Sequence, residues 1–270
     1  MSISEKKTWV LFLVVFLVAL GSRYSHGQSD EELAKTSQNP VGDLISLPLQ
    51  NNTNFYVGPE KGTQNVLNIQ PVWPLSIGAN WNLITRTIFP VVSLPEFTSG
   101  GQRTNGLADI LFTAFLSPKK ASKLIWGVGP ALLLPTATDD LLASDKWGLG
   151  PAVVVLTMPG HWVVGSLFNN VWSFAGSGAN DVNLFTWQYF INYNMPGGSY
   201  FTTAPIITAN WEADSGDKWT IPLGGGIGQI FRIGSQPINF NVQAYYNVKK
   251  PEFGGSWQVR IQWTFLFPKR

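Results

Sequence analysis

In the carboxy-terminal stretch the apolar Val259, Ile261, Trp263, Phe265 and Phe267 alternate with the polar Gln258, Arg260, Gln262 and Thr264. A period of two places the two sets on opposite faces of a β-strand. The same period runs through 238–248, where Ile238, Phe240, Val242, Ala244 and Tyr246 oppose Asn239, Asn241, Gln243 and Asn247. It recurs at 185–194, with Phe185, Trp187, Tyr189 and Ile191 against Thr186, Gln188, Asn192 and Asn194, and near 67–73, with Leu67, Ile69 and Trp73 against Asn68 and Gln70. A soluble sandwich would carry many Lys and Glu on its outward face. Here the polar face is mostly Asn, Gln and Thr.

Twelve segments of this kind are predicted, near 44–57, 64–73, 79–90, 107–117, 124–134, 147–158, 162–174, 183–194, 200–211, 218–232, 237–248 and 256–267. Most have the roughly 9–11 residues that a tilted membrane strand needs. The connections alternate between tight ones, such as Pro118–Lys123, Pro159–His161 and Pro196–Ser199, and longer polar ones, such as Val91–Gly106 and Pro135–Lys146. Short turns on one rim and long loops on the other are the pattern of outer-membrane barrels. The predicted fold is all-β, an antiparallel transmembrane β-barrel of about twelve strands, with a short N-terminal helical segment. An even strand number puts both termini on the short-turn, periplasmic side.

The amino-terminal region has a different period. Lys6 and Lys7 precede the apolar run Trp9–Leu20, and Ser25 and Gly27 stand where a leader peptidase expects small residues. Residues 1–27 are therefore read as a signal peptide, cleaved before Gln28; the run is shorter than the roughly 17–25 residues of a helical span. Asp30, Glu31 and Glu32 ahead of Leu33, Ala34 and Lys35 suit a short helix ended by Pro40. Residues 28–43 form a periplasmic or plug-like segment, and 44–270 the barrel.

Aromatic residues gather near the predicted strand ends: Trp73, Trp81, Trp126, Trp162 and Tyr200 towards one rim, and Trp147, Trp172, Trp211, Trp219 and Trp257 towards the other. Interfacial girdles explain this placement, because an indole is apolar in body and wet at its N–H. An internal echo, Trp126-Gly127-Val128-Gly129-Pro130-Ala131 and Trp147-Gly148-Leu149-Gly150-Pro151-Ala152, puts a proline in each of two strands. Proline cannot donate to a ladder, so Pro130 and Pro151 are expected to mark bulges or irregular pairing. The runs that follow are apolar on both faces, so either the lumen is greasy there or the N-terminal segment covers it.

Composition narrows the chemistry. Charged residues are 13% of the chain and aromatics another 13%, with twelve Trp, too few charges for an ordinary soluble surface. The net charge of +2 falls to zero once Lys6, Lys7, Arg23 and Glu5 leave with residues 1–27, so no nucleic-acid footprint remains. The absence of cysteine excludes disulfides and thiolate metal sites. His161, in a tight predicted turn, could serve a hydrolase triad only beside a nucleophile at the barrel wall. Gly224-Gly225-Gly226-Ile227-Gly228 lacks the Lys-Ser/Thr of a phosphate loop, and its glycines fit a bend or close approach in a crowded lumen. Asp139, Asp140, Asp145, Asp214 and Asp217 lack EF-hand spacing and read as loop acids. No catalytic, cofactor or metal site is expected.

The stretch from Asn39-Pro40-Val41-Gly42-Asp43 to Asn51-Asn52, the segment from Gly127-Val128-Gly129-Pro130 to Leu134-Pro135-Thr136-Ala137-Thr138, and the ending Trp263-Thr264-Phe265-Leu266-Phe267-Pro268 resemble one family over nearly all of residues 39–270. It is the outer-membrane β-barrel family associated with the meta-pathway of phenol degradation, whose members are often labelled transporters or, misleadingly, neuromedin U. The resemblance implies passage of small solutes, aromatic or hydrophobic compounds among them, across the bacterial outer membrane. It supplies no substrate residues. The final aromatic that the assembly machinery reads is internal here, since Pro268, Lys269 and Arg270 follow Phe267.

Arginine on the lipid face costs roughly 2–4 kcal/mol near mid-membrane, so Arg86, Arg232 and Arg260 are expected in the lumen, with Asp109 near another polar face. Gln188, Asn192, Asn241, Gln243 and Gln262 share those faces. The arginines are either a selectivity feature or paired with Asp109 or the acidic N-terminal segment. The expected function is a narrow non-enzymatic channel whose partners are membrane lipids, a small solute and the outer-membrane assembly machinery. The alternatives are a closed structural or partner-binding barrel and, with less support, an outer-membrane lipid hydrolase.

Overall fold

The computed structural model describes residues 29–97, 101–120 and 122–268. The expected signal peptide, residues 1–27, and the final Lys269 and Arg270 lie outside the described residues. One helix, α1 (Asp30–Ser37), precedes β1 (Ile45–Val57), β2 (Gly62–Ile69), β3 (Val72–Ile77), β4 (Trp81–Leu94), β5 (Thr104–Leu107), β6 (Ile110–Pro118), β7 (Ile125–Leu134) and β8 (Lys146–Thr157). Then follow β9 (Trp162–Gly176), β10 (Asn183–Asn194), β11 (Ser199–Thr203), β12 (Ile206–Asn210), β13 (Trp219–Ile233), β14 (Gln236–Lys249) and β15 (Trp257–Phe267). Three barrel strands are each broken in two, as β2/β3, β5/β6 and β11/β12, so the segments make twelve strands. Pro71 and Pro205 fall in two of the breaks, where a residue without an N–H ends the ladder.

Every neighbouring pair is antiparallel, and β1 returns to β15 in unbroken register from Ile45 opposite Phe267 to Phe55 opposite Trp257. Closure leaves no edge, as a sheet in hydrocarbon requires. The turns at 78–80, 119–124, 158–161, 195–198 and 234–235 share the rim of Ile45 and Phe267; the connections at 58–61, 95–103, 135–145, 177–182, 211–218 and 250–256 lie on the other. The 58–61 connection is short despite lying on the loop rim. It turns through left-handed residues, Gly58 at φ 77° and Lys61 at φ 50°.

The outer wall is apolar. Val128, Val153, Leu223, Ile227, Val242 and Ile261 are exposed, up to 61% for Ile227, an arrangement suited to lipid and not to water. Trp81 and Trp126 meet edge to face at 6.1 Å near the terminal rim, and Trp211 and Trp219 at 5.4 Å near the loop rim. Tyr200 departs from the expected girdle. It is inward and only 2% exposed, its hydroxyl donates to Asn239, and it occupies space that a side chain on Gly228 would block, since a Cβ there would lie 2.1 Å from the ring.

Pro130 and Pro151 stand opposite each other in the β7–β8 pair. The paired register of β6 with β7 skips from Thr113–Ala131 to Leu116–Val128, and that of β8 with β9 skips from Leu149–Trp172 to Ala152–Asn169. Residues of an antiparallel ladder turn their N–H alternately to one neighbour and the other. Both gaps fall on the outer sides of the pair, where the prolines have no N–H to offer. The preceding glycines complete the irregularity: a Cβ on Gly129 would lie 1.7 Å from the Ala114 carbonyl oxygen, and one on Gly150 1.6 Å from that of Asn170.

The inner face of this region forms a packed apolar core. Ile84, Phe115, Ala131, Ala152, Val154, Leu156, Val163, Leu167, Val171 and Phe190 form one buried cluster, and Val41 of the N-terminal segment joins it. Gly127 makes the seat, since a Cβ there would come within 3.0 Å of Val41. The lumen is therefore apolar on one side and polar on the other. Substituting Gly150→Ala is expected to abolish barrel assembly, read as loss of the heat-dependent gel shift of the folded barrel. Gly216→Ala, in open space on a loop, is expected to assemble normally.

Candidate functional site

The polar side of the lumen is built from β14, β15 and β1, whose inward residues stand in register. Asn239, Thr264 and Pro48 form one rung; Asn241, Gln262 and Gln50 the next; then Gln243, Arg260 and Asn52; then Tyr245, Gln258 and Asn54. The period-two pattern of these strands produces the rungs directly, because inward parity in one strand carries across to its neighbour. Hydrogen bonds knit them: Gln243 Nε2 donates to Asn241 Oδ1 at 2.7 Å, Gln262 Nε2 to Thr264 Oγ1 at 3.0 Å, and Gln258 Nε2 to Asn54 Oδ1 at 2.9 Å. Among the described residues every buried side-chain nitrogen and oxygen has a partner, so the buried part of the network is satisfied.

Arg260 is the centre of this wall and is 1% exposed. Its Nε donates to Asn52 Oδ1 at 2.9 Å, its Nη1 to the Ala204 carbonyl at 2.7 Å and its Nη2 to Gln258 Oε1 at 3.4 Å, and it lies 5.2 Å from the Tyr245 ring centre. The break between β11 and β12 makes this possible. At Ala204–Pro205 the ladder stops, and the Ala204 carbonyl accepts from Arg260 and from Gln188 Nε2 at 3.3 Å, while its amide donates to the Tyr245 hydroxyl at 3.0 Å. The break at Gln70–Pro71 acts similarly. Gln70 is buried, and its Oε1 accepts both Nε, at 3.2 Å, and Nη2 of Arg86.

These groups surround a cavity of about 180 Å³ inside the barrel. Of the residues singled out in the sequence, Arg86, Arg260, Gln188, Asn192, Asn241, Gln243 and Gln262 line it. Arg232 does not; it lies at the terminal mouth, 3.3 Å from Asp30 of the acidic N-terminal segment. Asp109 stands elsewhere and pairs with no arginine. Its Oδ1 accepts the amides of Thr136 and Ala137 at 3.0 and 3.1 Å, and its Oδ2 the amide and hydroxyl of Ser144 at 2.8 and 2.5 Å, which ties down the 135–145 loop. Four donors from one loop leave this carboxylate no role as a lumen counter-ion. Gln70, Asn52, Ala204 and Tyr245 were missed by sequence reasoning, although Pro71 and Pro205 inside predicted strand territory were the available signal.

α1 caps the cavity on the terminal side. Ser29 and Glu32 form a reciprocal capping box, and Leu33 and Ala34 are buried with Leu44, Ile230 and Leu266. Gln38 and Asn194 exchange amide hydrogen bonds at 2.9 and 3.1 Å, and Asn239 Nδ2 donates to Ser37 Oγ at 2.8 Å. His161 Nδ1 lies 3.3 Å from Glu31 Oε1 and its ring is 5.8 Å from that of Tyr193, so its neighbours tie a terminal-side turn to the helix. Leu33→Ala is expected to weaken the docking of α1 by about 2–5 kcal/mol. Hydrogen exchange of the α1 amides should then accelerate while β14 and β15 stay protected.

On the loop rim, Lys146 Nζ and Ser173 Oγ each meet Asp181 Oδ1 at 3.2 Å. The hydrogen bond and charge of Lys146, aided by Ser173, hold the Asp181 carboxyl below its usual range. A carboxyl whose folded pKa is lowered contributes above its ordinary pKa and loses that contribution as pH falls through the lowered value. Lys146→Met is expected to move the Asp181 titration back up, as read by NMR, with little change in overall stability because the carboxylate is exposed.

A closed antiparallel barrel, apolar outside and polar on one side within, is a transmembrane β-barrel of the outer-membrane type. No protein-family model and no curated protein matches the chain. Among solved structures, the COG4313 outer membrane channel from Pseudomonas putida F1 is similar with a TM-score of 0.64 at 15% identity, over 85% of this chain and 97% of that one. The outer membrane phospholipase A of Escherichia coli gives 0.44 at 10% identity, over 90% and 99%. The β domain of the Bordetella autotransporter BrkA gives 0.46 at 10%, over 83% and 100%. The first likeness bears on the fold, and the other two are looser.

Proposed function

We propose that this protein is an outer-membrane channel for small solutes, aromatic or hydrophobic compounds among them. The observation that carries the reading is the internal cavity of about 180 Å³, lined on one side by amides, hydroxyls and two guanidinium groups and on the other by Leu167 and Phe190. The polar groups line open space, whereas apolar packing of the kind around Val154 and Leu156 fills the other side. Twelve strands lie between small filled barrels and open porins, which suits a restricted path. The similar fold of the Pseudomonas putida channel is consistent with this role, and the resemblance to the phenol meta-pathway family supplies the aromatic class of solute. Its partners are then membrane lipids, the solute and the machinery that assembles outer-membrane barrels.

A second reading is a barrel closed at rest by its N-terminal segment, and it is favoured by α1 being docked among Leu44, Ile230 and Leu266. Planar-bilayer conductance and liposome swelling test both. The intact barrel is expected to pass small solutes slowly, and deletion of residues 29–38 is expected to raise conductance several-fold. A folded barrel that gives no flux above an empty membrane, with or without the deletion, removes the channel reading. Equal conductance in the two forms removes the closure by α1.

A further inference from the structure

We infer that the lumen cavity is a binding site for a small organic carboxylate, received by Arg86 with Arg260 as a fixed positive charge behind it. The inference rests on the channel reading and names the chemistry of what the cavity holds. Both arginines line one cavity, and its lining includes no Asp or Glu. Among the described residues neither arginine is within ion-pair distance of a carboxylate. The ion pairs seen among the described residues include Lys35–Glu31, Lys146–Asp181, His161–Glu31 and Arg232–Asp30, and neither Arg86 nor Arg260 belongs to one. Asp109, the acid that could have neutralised an arginine, is taken up by the 135–145 loop. The cavity is therefore a positively charged compartment surrounded by protein, where an anion gains more than it would in bulk water.

The two arginines differ in what they have left to give. Arg260 has each of its three nitrogens engaged, by Asn52, the Ala204 carbonyl and Gln258, lies beside the Tyr245 ring, and is fully buried. Arg86 directs both of its side-chain hydrogen bonds, from Nε and Nη2, to the single oxygen Oε1 of Gln70, and it keeps intermediate exposure although its strand carries it inward. Since it lines the cavity, that exposure is to the cavity. Its Nη1 edge is the available donor set, and a planar guanidinium edge matches a carboxylate. Val72, its neighbour in register on β3, and Leu167 and Phe190 supply apolar surface in the same cavity. One available guanidinium edge with apolar walls suits a monoanion with an apolar body better than a strongly hydrated dianion, which needs more donors.

The test uses the full barrel, folded in detergent, with benzoate as probe and benzamide as its neutral counterpart, by isothermal titration. Benzoate is expected to bind and benzamide to bind at least about ten-fold more weakly, the scale of one charge-assisted hydrogen-bond pair. Arg86→Gln is expected to lower benzoate affinity by about ten- to hundred-fold and to leave benzamide unchanged. Arg86→Lys keeps the charge without the planar edge and should fall between, which also covers failure of the first variant to fold. In bilayers under a KCl gradient the reversal potential should show chloride preference that Arg86→Gln reduces. Equal binding of benzoate and benzamide, or benzoate binding indifferent to both Arg86 variants, overturns the inference. Benzoate binding without conductance removes the channel reading alone, and conductance without benzoate binding removes the carboxylate site alone.

Discussion

Hydrocarbon offers a peptide group no hydrogen-bond partner, so a strand that crosses a bilayer needs a neighbour on each side. Here that requirement is met by the seam between β1 and β15, whose register is unbroken from Ile45–Phe267 to Phe55–Trp257. Once the sheet is closed, inward or outward parity is fixed for every strand together. The apolar members of each pair take the lipid, and whatever lies between them becomes the lumen. Arg260 is inward because Val259 and Ile261 take the lipid face, and the same holds for Gln262 between Ile261 and Trp263.

Within that constraint the two sides of the lumen reach opposite solutions. Around β6 to β9 most inward residues are apolar, Gly129 and Gly150 admit the Ala114 and Asn170 carbonyls where a Cβ would clash, and Val41 fills the space above Gly127. That side is a protein core. Around β14, β15 and β1 the inward residues are mostly polar, and they satisfy one another from rung to rung along a strand and, at Gln258–Asn54 and Arg260–Asn52, across the seam. The cavity persists where the two meet, because amides and guanidinium groups cannot interdigitate with Phe190 and Leu167 as aliphatic groups do with each other. Breaks in the wall then supply what side chains do not. The Ala204 carbonyl is released by Pro205, and Gln70 is carried at the break before Pro71.

The barrel, the strand number and the rim of each turn were legible in the sequence because lipid on one face enforces strict alternation. The Gly-X-Gly-Pro echo likewise announced the irregular pairing of β7 with β6 and of β8 with β9, since the missing N–H has a local cause. What was not legible depends on contacts between distant residues. Asp109 is one of the counter-ions its strand face suggests for the arginines, but the loop amides that claim it lie 27 to 35 positions away. Tyr200 was read as a girdle residue from its place near a strand end. Its inward position depends on the small residue at Gly228 and on Asn239, neither of which its own segment reveals. The seating of α1 in the mouth required knowing that Leu44, Ile230 and Leu266 converge there.

Arg260 belongs to the last strand and its Nε partner, Asn52, to the first. The contact spans the seam, so it forms only when the two ends of the chain meet. The apolar core around β6 to β10 makes no use of this seam, whereas the rung of Gln243, Arg260 and Asn52 is complete only across it. Arg86 has its partner Gln70 away from the seam, so it is the Arg260 half of the lumen's charge whose partners are complete only in the closed barrel.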